Sequence, residues 1–355
     1  MKSTNYYNMN KEKKFFKKTK TKYNKYENNN RFKLFNNNTS KFFFIILLLI
    51  IIIQFIIINN KSKYKRVKYD INFKYEEYDK DIIPDKENKI SKRLTELEEI
   101  QYINGIIRKN KLKTCLEIGV GYGGSSIVIL NALKDIKNSV LVSIDLYTEI
   151  VPGKAMGYKV YENFPELAKN WKLFTGDQPH KFLVELNIKF DFLFMDTAHV
   201  SPGEIFNFIE ALPFLNDNAI VVMDDLLWHF STIKTTKLFP SCIALIPALY
   251  GDKLLMKKSV SKMGAVFLYP NQEEHYLDYF LLLLNFWEYI PPENHLDDLR
   301  RFIKKYYKDK IYIDIFEYAV EENKKANKKF EKYIDYSEKK DHLISLGPKW
   351  WNITN

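Results

Sequence analysis

From Lys113 to about Pro270 the sequence alternates between short, uninterrupted apolar runs and longer stretches with helical spacing. The clearest runs are Thr114–Ile118, Val140–Ile144, Phe190–Met195, Ala219–Met223 and Ala265–Tyr269. A strand with one wet face alternates polar and apolar residues. Runs without that alternation fit strands covered by helices on both faces, and their regular interruption by helical patterns predicts parallel strands joined by crossovers. The expected core is a doubly wound, mostly parallel α/β domain over residues 91–272, entered through an amphipathic helix at Ile90–Ile107. Residues 273–355 read as a mainly helical extension, whose run Phe280–Leu284 is too short to cross a membrane.

Upstream the composition changes. Residues 1–41 are rich in Lys, Asn and Tyr and nearly free of aliphatic side chains, so they cannot bury enough apolar surface to order themselves. Phe42–Ile58 is then apolar except for Gln54, with basic clusters on both sides. At 1.5 Å per residue it spans roughly 25 Å, enough for a thin bilayer. A core helix would carry a polar face, and a cleaved signal would end in small residues rather than Asn59-Asn60-Lys61. The reading is a single-pass anchor at 42–58 followed by a charged stem at 59–90.

The basic arm favours a cytosolic N-terminus, which predicts a lumenal domain in the secretory pathway (ER or Golgi). Five Lys/Arg in 22–41 against six in 59–78 nearly balance that preference near the membrane. Asn60-Lys61-Ser62 and Asn352-Ile353-Thr354 would be glycosylation acceptors in that orientation.

The formal charge of +11 suggests nucleic acid until it is divided. Residues 1–68 carry a net +15, and the remainder a net −4. A mildly acidic domain repels phosphate backbones, so nucleic acid is not the expected substrate. Cys115 and Cys242 have no metal-binding spacing, and Cys115 lies in a strand-like run as a small core residue.

The first apolar run leads into Gly119-Val120-Gly121-Tyr122-Gly123-Gly124-Ser125-Ser126, and a helical run starts at Ile127. Glycines there allow a tight turn and close approach of a ligand to free N–H groups at a helix start. Gly119, Gly121 and Gly124 also satisfy the dinucleotide fingerprint, so the glycines alone do not choose a cofactor. Two acids do. Glu117 sits two residues before the first glycine, where a ligand with a cationic amino-acid part could use a carboxylate. Asp145 ends the second run, where an acid can accept hydrogen bonds from ribose hydroxyls.

The segment Cys115–Ser126, with Ser143-Ile144-Asp145-Leu146 and Gly176-Asp177, resembles the class I S-adenosylmethionine (SAM)-dependent methyltransferases over residues 95–270. The resemblance implies a Rossmann-like sheet. It places Glu117, Gly119, Gly121, Gly123 and Ser125 near the amino-acid part of SAM, Asp145 on the ribose and Asp177 near the adenine.

Further on, Phe190–Met195 runs into Asp196-Thr197-Ala198-His199, and Ala219–Met223 into Asp224-Asp225-Leu226-Leu227-Trp228-His229. In a parallel sheet both groups emerge at the carboxyl edge, where three carboxylates repel one another unless a cation or protons intervene. These segments resemble the cation-dependent small-molecule O-methyltransferases and cephalosporin-hydroxylase-like relatives. The resemblance implies a divalent cation such as Mg²⁺ on Asp196, Asp224 and Asp225, and His199 as general base. Two departures stand out. Asn216-Asp217-Asn218 replaces a glycine-containing turn, which Asn could satisfy in a left-handed conformation, and the acid pair is Asp-Asp where the plant-type enzymes have Asp-Asn. Pro152–Tyr158 is expected to cover the acceptor, with Trp228 and His229 lining its pocket.

The sequence therefore reads as a SAM-dependent methyltransferase, assisted by a cation and acting on an oxygen of a small molecule or glycan. An NAD-linked oxidoreductase is the first alternative, weakened by Glu117 and by the lack of a Tyr-x-x-x-Lys pair after the fourth run. A membrane-anchored scaffold with a degenerate fold is the second.

Overall fold

The computed structural model describes residues 97–197, 199, 201–226, 241–256 and 263–330. The arm 1–41, the anchor 42–58, the stem 59–90, Trp228, His229 and the C-terminal tail from 331 all lie outside the described residues. Among the described residues no helix is long and apolar enough to cross a membrane.

Helix α1 (Leu97–Asn110) leads in, with Glu98 and Glu99 in its first turn and Arg108 and Lys109 in its last, charges that complement its dipole. The strands are β1 (Thr114–Ile118), β2 (Val140–Asp145), the short pair β3 (Glu149–Val151) and β4 (Lys154–Ala155), β5 (Trp171–Thr175), β6 (Phe190–Met195), β7 (Leu215–Met223), β8 (Gly251–Leu255) and β9 (Gly264–Leu268). Seven of them form one sheet in the order β5-β2-β1-β6-β7-β9-β8. The neighbours from β5 to β7 are parallel. β9 runs antiparallel to both β7 and β8.

The chain winds outward from β1 to β5 and then returns to the other side of β1 for β6. The carboxyl ends of β1 and β6 thus part at the reversal, the place where such sheets leave a crevice for ligands.

Both faces of the sheet are covered, which explains the uninterrupted runs. Side chains alternate across it: Cys115, Leu141, Phe192, Phe194, Ile220 and Val222 pack with α1 and with α2 (Gly124–Leu133). Leu116, Ile118, Val142, Ile144, Leu193, Val221 and Met223 pack on the opposite side with α4 (Pro179–Leu186) and α5 (Gly203–Ala211). Cys115 is a free, fully buried core thiol, as its run predicts.

After the small α3 (Tyr158–Asn163) and α6 (Ser241–Ala248), the C-terminal region forms α7 (Tyr276–Leu281), α8 (Glu293–Tyr306) and α9 (Lys310–Phe330). It is not a separate layer. Tyr279, Phe280, Leu283, Trp287, Leu299, Phe302 and Phe316 belong to the same core cluster as one face of the sheet.

Three details correct the sequence expectation. Leu215–Met223 begins four residues earlier than Ala219, because Asn216-Asp217-Asn218 forms a bulge within β7 and not a turn before it. None of the three Asn216–Asn218 residues is left-handed; Asn216 Nδ2 instead donates to Asp191 Oδ1 at 2.6 Å. The run Ala265–Tyr269 is a strand shifted by one residue, and it is the antiparallel one. β5 and β8 carry lysines and a threonine among short apolar residues, and the sheet's two edges are where such strands are tolerated.

Candidate active site

The turn after β1 is built around two glycines. Gly119 has φ +89°, and a Cβ there would lie 1.8 Å from the carbonyl oxygen of Asp196. Gly121 has φ +52° with open space around it. The first lets β1 and β6 stay close where their ends part, and the second leaves the loop bare toward the crevice. Gly157 N–H donates to Gly121 O at 2.9 Å, so the β3–β4 hairpin is tied to the loop from outside.

Glu117 holds this loop from below. It is fully buried, and its carboxylate accepts from Ser125 Oγ at 2.6 Å, Ser126 Oγ at 2.6 Å and Ser143 Oγ at 2.5 Å. Burial pushes its pKa up to about 7, against the pull of the three hydroxyls. Ser143 Oγ in turn accepts from Trp171 Nε1 at 2.7 Å. Asp145 braces the loop from β2: Oδ2 accepts from Val120 N–H at 2.8 Å and Gly121 N–H at 3.4 Å, and Oδ1 from Tyr147 N–H at 2.9 Å. Burial raises its pKa, partly offset by these N–H donors.

A cavity of about 340 Å³ opens in this crevice, within the range of small-molecule sites. Gly119, Gly121, Ser125, Asp145, Asp196 and Asp224 line it. Of the other residues singled out in the sequence, Glu117, Gly123, Asp177, His199 and Asp225 do not. Gly123 caps α2 in a left-handed conformation. Asp177 turns outward to Lys181 Nζ at 2.9 Å.

Sequence reasoning missed the residue beside it. Gln178 lines the cavity, is 8% exposed, and its Oε1 has no hydrogen-bond partner. Thr197 Oγ1 is likewise buried, unpartnered and on the cavity wall. Of the stretch Pro152–Tyr158 expected to cover the acceptor, the buried Met156 lines the cavity, and Ile150 just before it does too. Tyr289, Pro291, His295 and Leu299 also line the cavity, and no local pattern announced them.

At the reaction end the carboxylates are close enough to feel one another. Burial, then the charges of Asp196 and Asp225, hold the Asp224 carboxyl well above the usual carboxylate range. His199 lies among the acids. Its Nε2 is 3.1 Å from Asp196 Oδ1 and 3.6 Å from Asp225 Oδ2, and its Nδ1 is 3.2 Å from Glu204 Oε1. Burial alone would lower its pKa, but the carboxylates of Asp196 and Glu204 beside it win, raising it well above its ordinary value. His199 and Asp225 both adopt left-handed backbone conformations that non-glycine residues seldom take.

This geometry alters two expectations. Among the described residues no group of three or more His, Cys, Asp or Glu side chains is disposed to hold a metal ion. The donor chemistry of Asp196, Asp224 and Asp225 suits a hard cation, but the His199 ring stands against two of the three. The residues do not fit the expected metal site. His199, expected as general base, does not itself line the cavity; it stands beside Asp196, which does.

Residues 116–226 match the family model described as a methyltransferase domain. That stretch of the chain is similar to a methyltransferase domain. Solved structures similar to it include the O-methyltransferase from Bacillus cereus in complex with SAH, at 16% identity and TM-score 0.40, covering 50% of this chain and 84% of that one. The O-methyltransferase TomG from Streptomyces achromogenes in complex with SAM is 16% identical with TM-score 0.38, covering 58% and 93%. The SAH-bound methyltransferase PaMTH1 from Podospora anserina is 18% identical with TM-score 0.37, covering 61% and 94%. No curated protein matches. The match to the methyltransferase domain ends three residues after Met223, so everything from β8 onward lies outside it.

Proposed function

We propose that the chain transfers the methyl group of SAM to an oxygen of a small-molecule acceptor without a resident metal. The observation that carries this reading is one continuous cavity, lined at once by the glycine turn, Asp145, the unpartnered Gln178 and the acids Asp196 and Asp224. SAM supplies an electrophilic methyl group on a sulfonium; the rest is the work of side chains. The α2 N-terminus and Ser125 face the amino-acid part, with free N–H groups suited to a carboxylate. Asp145 has spent three acceptor positions on the loop and keeps capacity for a ribose hydroxyl. Gln178 Oε1 offers an acceptor to an amino donor.

Asp196 lines the cavity and takes the acceptor's proton as the new C–O bond forms. His199, with Nε2 3.1 Å from Asp196 Oδ1, positions that carboxylate. Asp224 also lines the cavity, and burial with the charges of Asp196 and Asp225 favours its protonated form, which can orient the acceptor oxygen by donating a hydrogen bond while keeping its proton.

A labelled-SAM screen of small-molecule and glycan hydroxyl acceptors, with and without Mg²⁺ and chelator, tests this. Turnover should survive chelation, and Asp196→Asn should lower kcat about 100-fold. Turnover that vanishes with chelator and returns with Mg²⁺ would restore the metal. Calorimetric binding of NAD without binding of SAM would instead support an oxidoreductase. The tether at 42–58 remains part of the proposal, tested by whether the full chain partitions with membranes and a chain lacking 1–68 does not.

A further inference from the structure

The cavity has a wall that the methyltransferase domain does not supply. Tyr289, Pro291, His295 and Leu299 line it, all beyond the matched residues 116–226. Their position is fixed by contacts that reach back into the domain. Lys181 of α4 bridges to Asp298 of α8 at 3.0 Å, and the His180 ring packs on Phe302 at 5.2 Å between centroids. Glu288 N–H donates to Ser201 O at 2.8 Å, tying the loop before α8 to the start of α5. Helix α8 therefore stands beside the start of α4, immediately after Gln178.

The lining near Gln178 combines acceptors with apolar surface. Gln178 Oε1 is buried and unpartnered. Glu210 is 2% exposed, with Oε1 held 2.6 Å from His180 Nδ1 and Oε2 accepting from Asn207 Nδ2 at 3.3 Å. Phe206, Pro291 and Leu299 add apolar surface to the same cavity. Flat apolar surfaces with hydrogen-bond acceptors at the edge suit a heteroaromatic base that carries an exocyclic amino group.

We propose that the segment Tyr289–Leu299 is the outer wall of the nucleoside subsite, so that the C-terminal helices are part of the cofactor site of this chain. The inference rests on the SAM reading above. Its physical consequence is linkage: a ligand that fills the subsite stabilises the docked state of α8 by mass action, and loosening α8 weakens the ligand.

Hydrogen exchange on the full chain with S-adenosylhomocysteine (SAH), together with calorimetry on two variants, tests this. SAH should slow exchange both in 118–126 and in 288–303. Leu299→Ala should bind SAH about ten-fold more weakly. Leu299 is nearly buried and its loss could loosen the fold, so His295→Asn, at a half-buried position, serves as the second variant, with a drop of about three-fold expected. Protection confined to 118–126, with both variants binding like the parent, would overturn the wall while leaving the cofactor reading standing. No SAH binding to the parent chain would overturn both.

Discussion

The two ends of the cavity are assembled differently. The glycine end is local: Glu117, Ser125, Ser126, Ser143 and Asp145, all within about thirty residues of one another, brace a turn whose shape depends on Gly119. The far end joins Gln178 and Glu210 to Tyr289–Leu299, across more than a hundred residues in places, through contacts such as Lys181 with Asp298 and Glu288 with Ser201. At the first end, one side chain serves both structure and ligand. At the second, Gln178 Oε1 is left without a partner, which is a cost to the fold unless a ligand answers it.

That contrast is sharpest at Gly119. A Cβ at φ +89°, 1.8 Å from a backbone oxygen, cannot be relieved by moving a side chain; β1 and β6 would have to separate. Gly119→Ala should cost about 4 kcal/mol in urea unfolding and remove SAH binding. A midpoint within error of the parent would mean that the turn is not the fixed element described.

Glu117 gives the next largest effect, and one that depends on pH. Its pKa is 4.5 in an exposed chain and about 7 in the fold. A carboxyl raised by folding contributes stability that is complete below 4.5 and is lost as pH rises through 7. The folded state should therefore lose about 3 kcal/mol over that interval relative to a chain without this group. Glu117→Gln should flatten this part of the profile. If the two profiles have the same slope, Glu117 is not the titrating group. SAH adds a further test: a cationic amino group placed near Glu117 would pull its pKa down and shift the loss to lower pH. An unchanged shape would leave Glu117 as a brace for the loop alone.

This difference in assembly also explains what could be read from the sequence. β1, β2 and β6 follow from uninterrupted runs whose periodicity is set by burial on both faces, and the glycine turn follows from residue types needed at neighbouring positions. β5 was hidden because an edge strand tolerates Lys172 and Thr175, and the β7 bulge because Asn216–Asn218 has the composition of a turn. Asp177 looked like the nucleoside contact because it follows a glycine. The chain instead turns that acid toward Lys181 and buries Gln178. The metal expectation was drawn from three acids in the right order, and order along the chain carries no information about the ring of His199 between them. Tyr289–Leu299 had no signal at all, since a helix that lines a pocket has the same apolar spacing as one that only packs.

The smallest predicted effect separates the two ends most cleanly. Gln178 precedes α4 without capping it through its side chain, so its amide is not needed for the helix. Replacing it with Met keeps the shape and removes a buried acceptor that has no partner. Gln178→Met should therefore raise stability by up to about 1 kcal/mol while weakening SAH about ten-fold. At the glycine end every substitution considered lowers stability and binding together, or shifts both with pH. A Gln178→Met chain that loses stability, or that binds SAH as the parent does, would show that this amide belongs to the fold, and the distinction between the two ends would fail where it is most exposed.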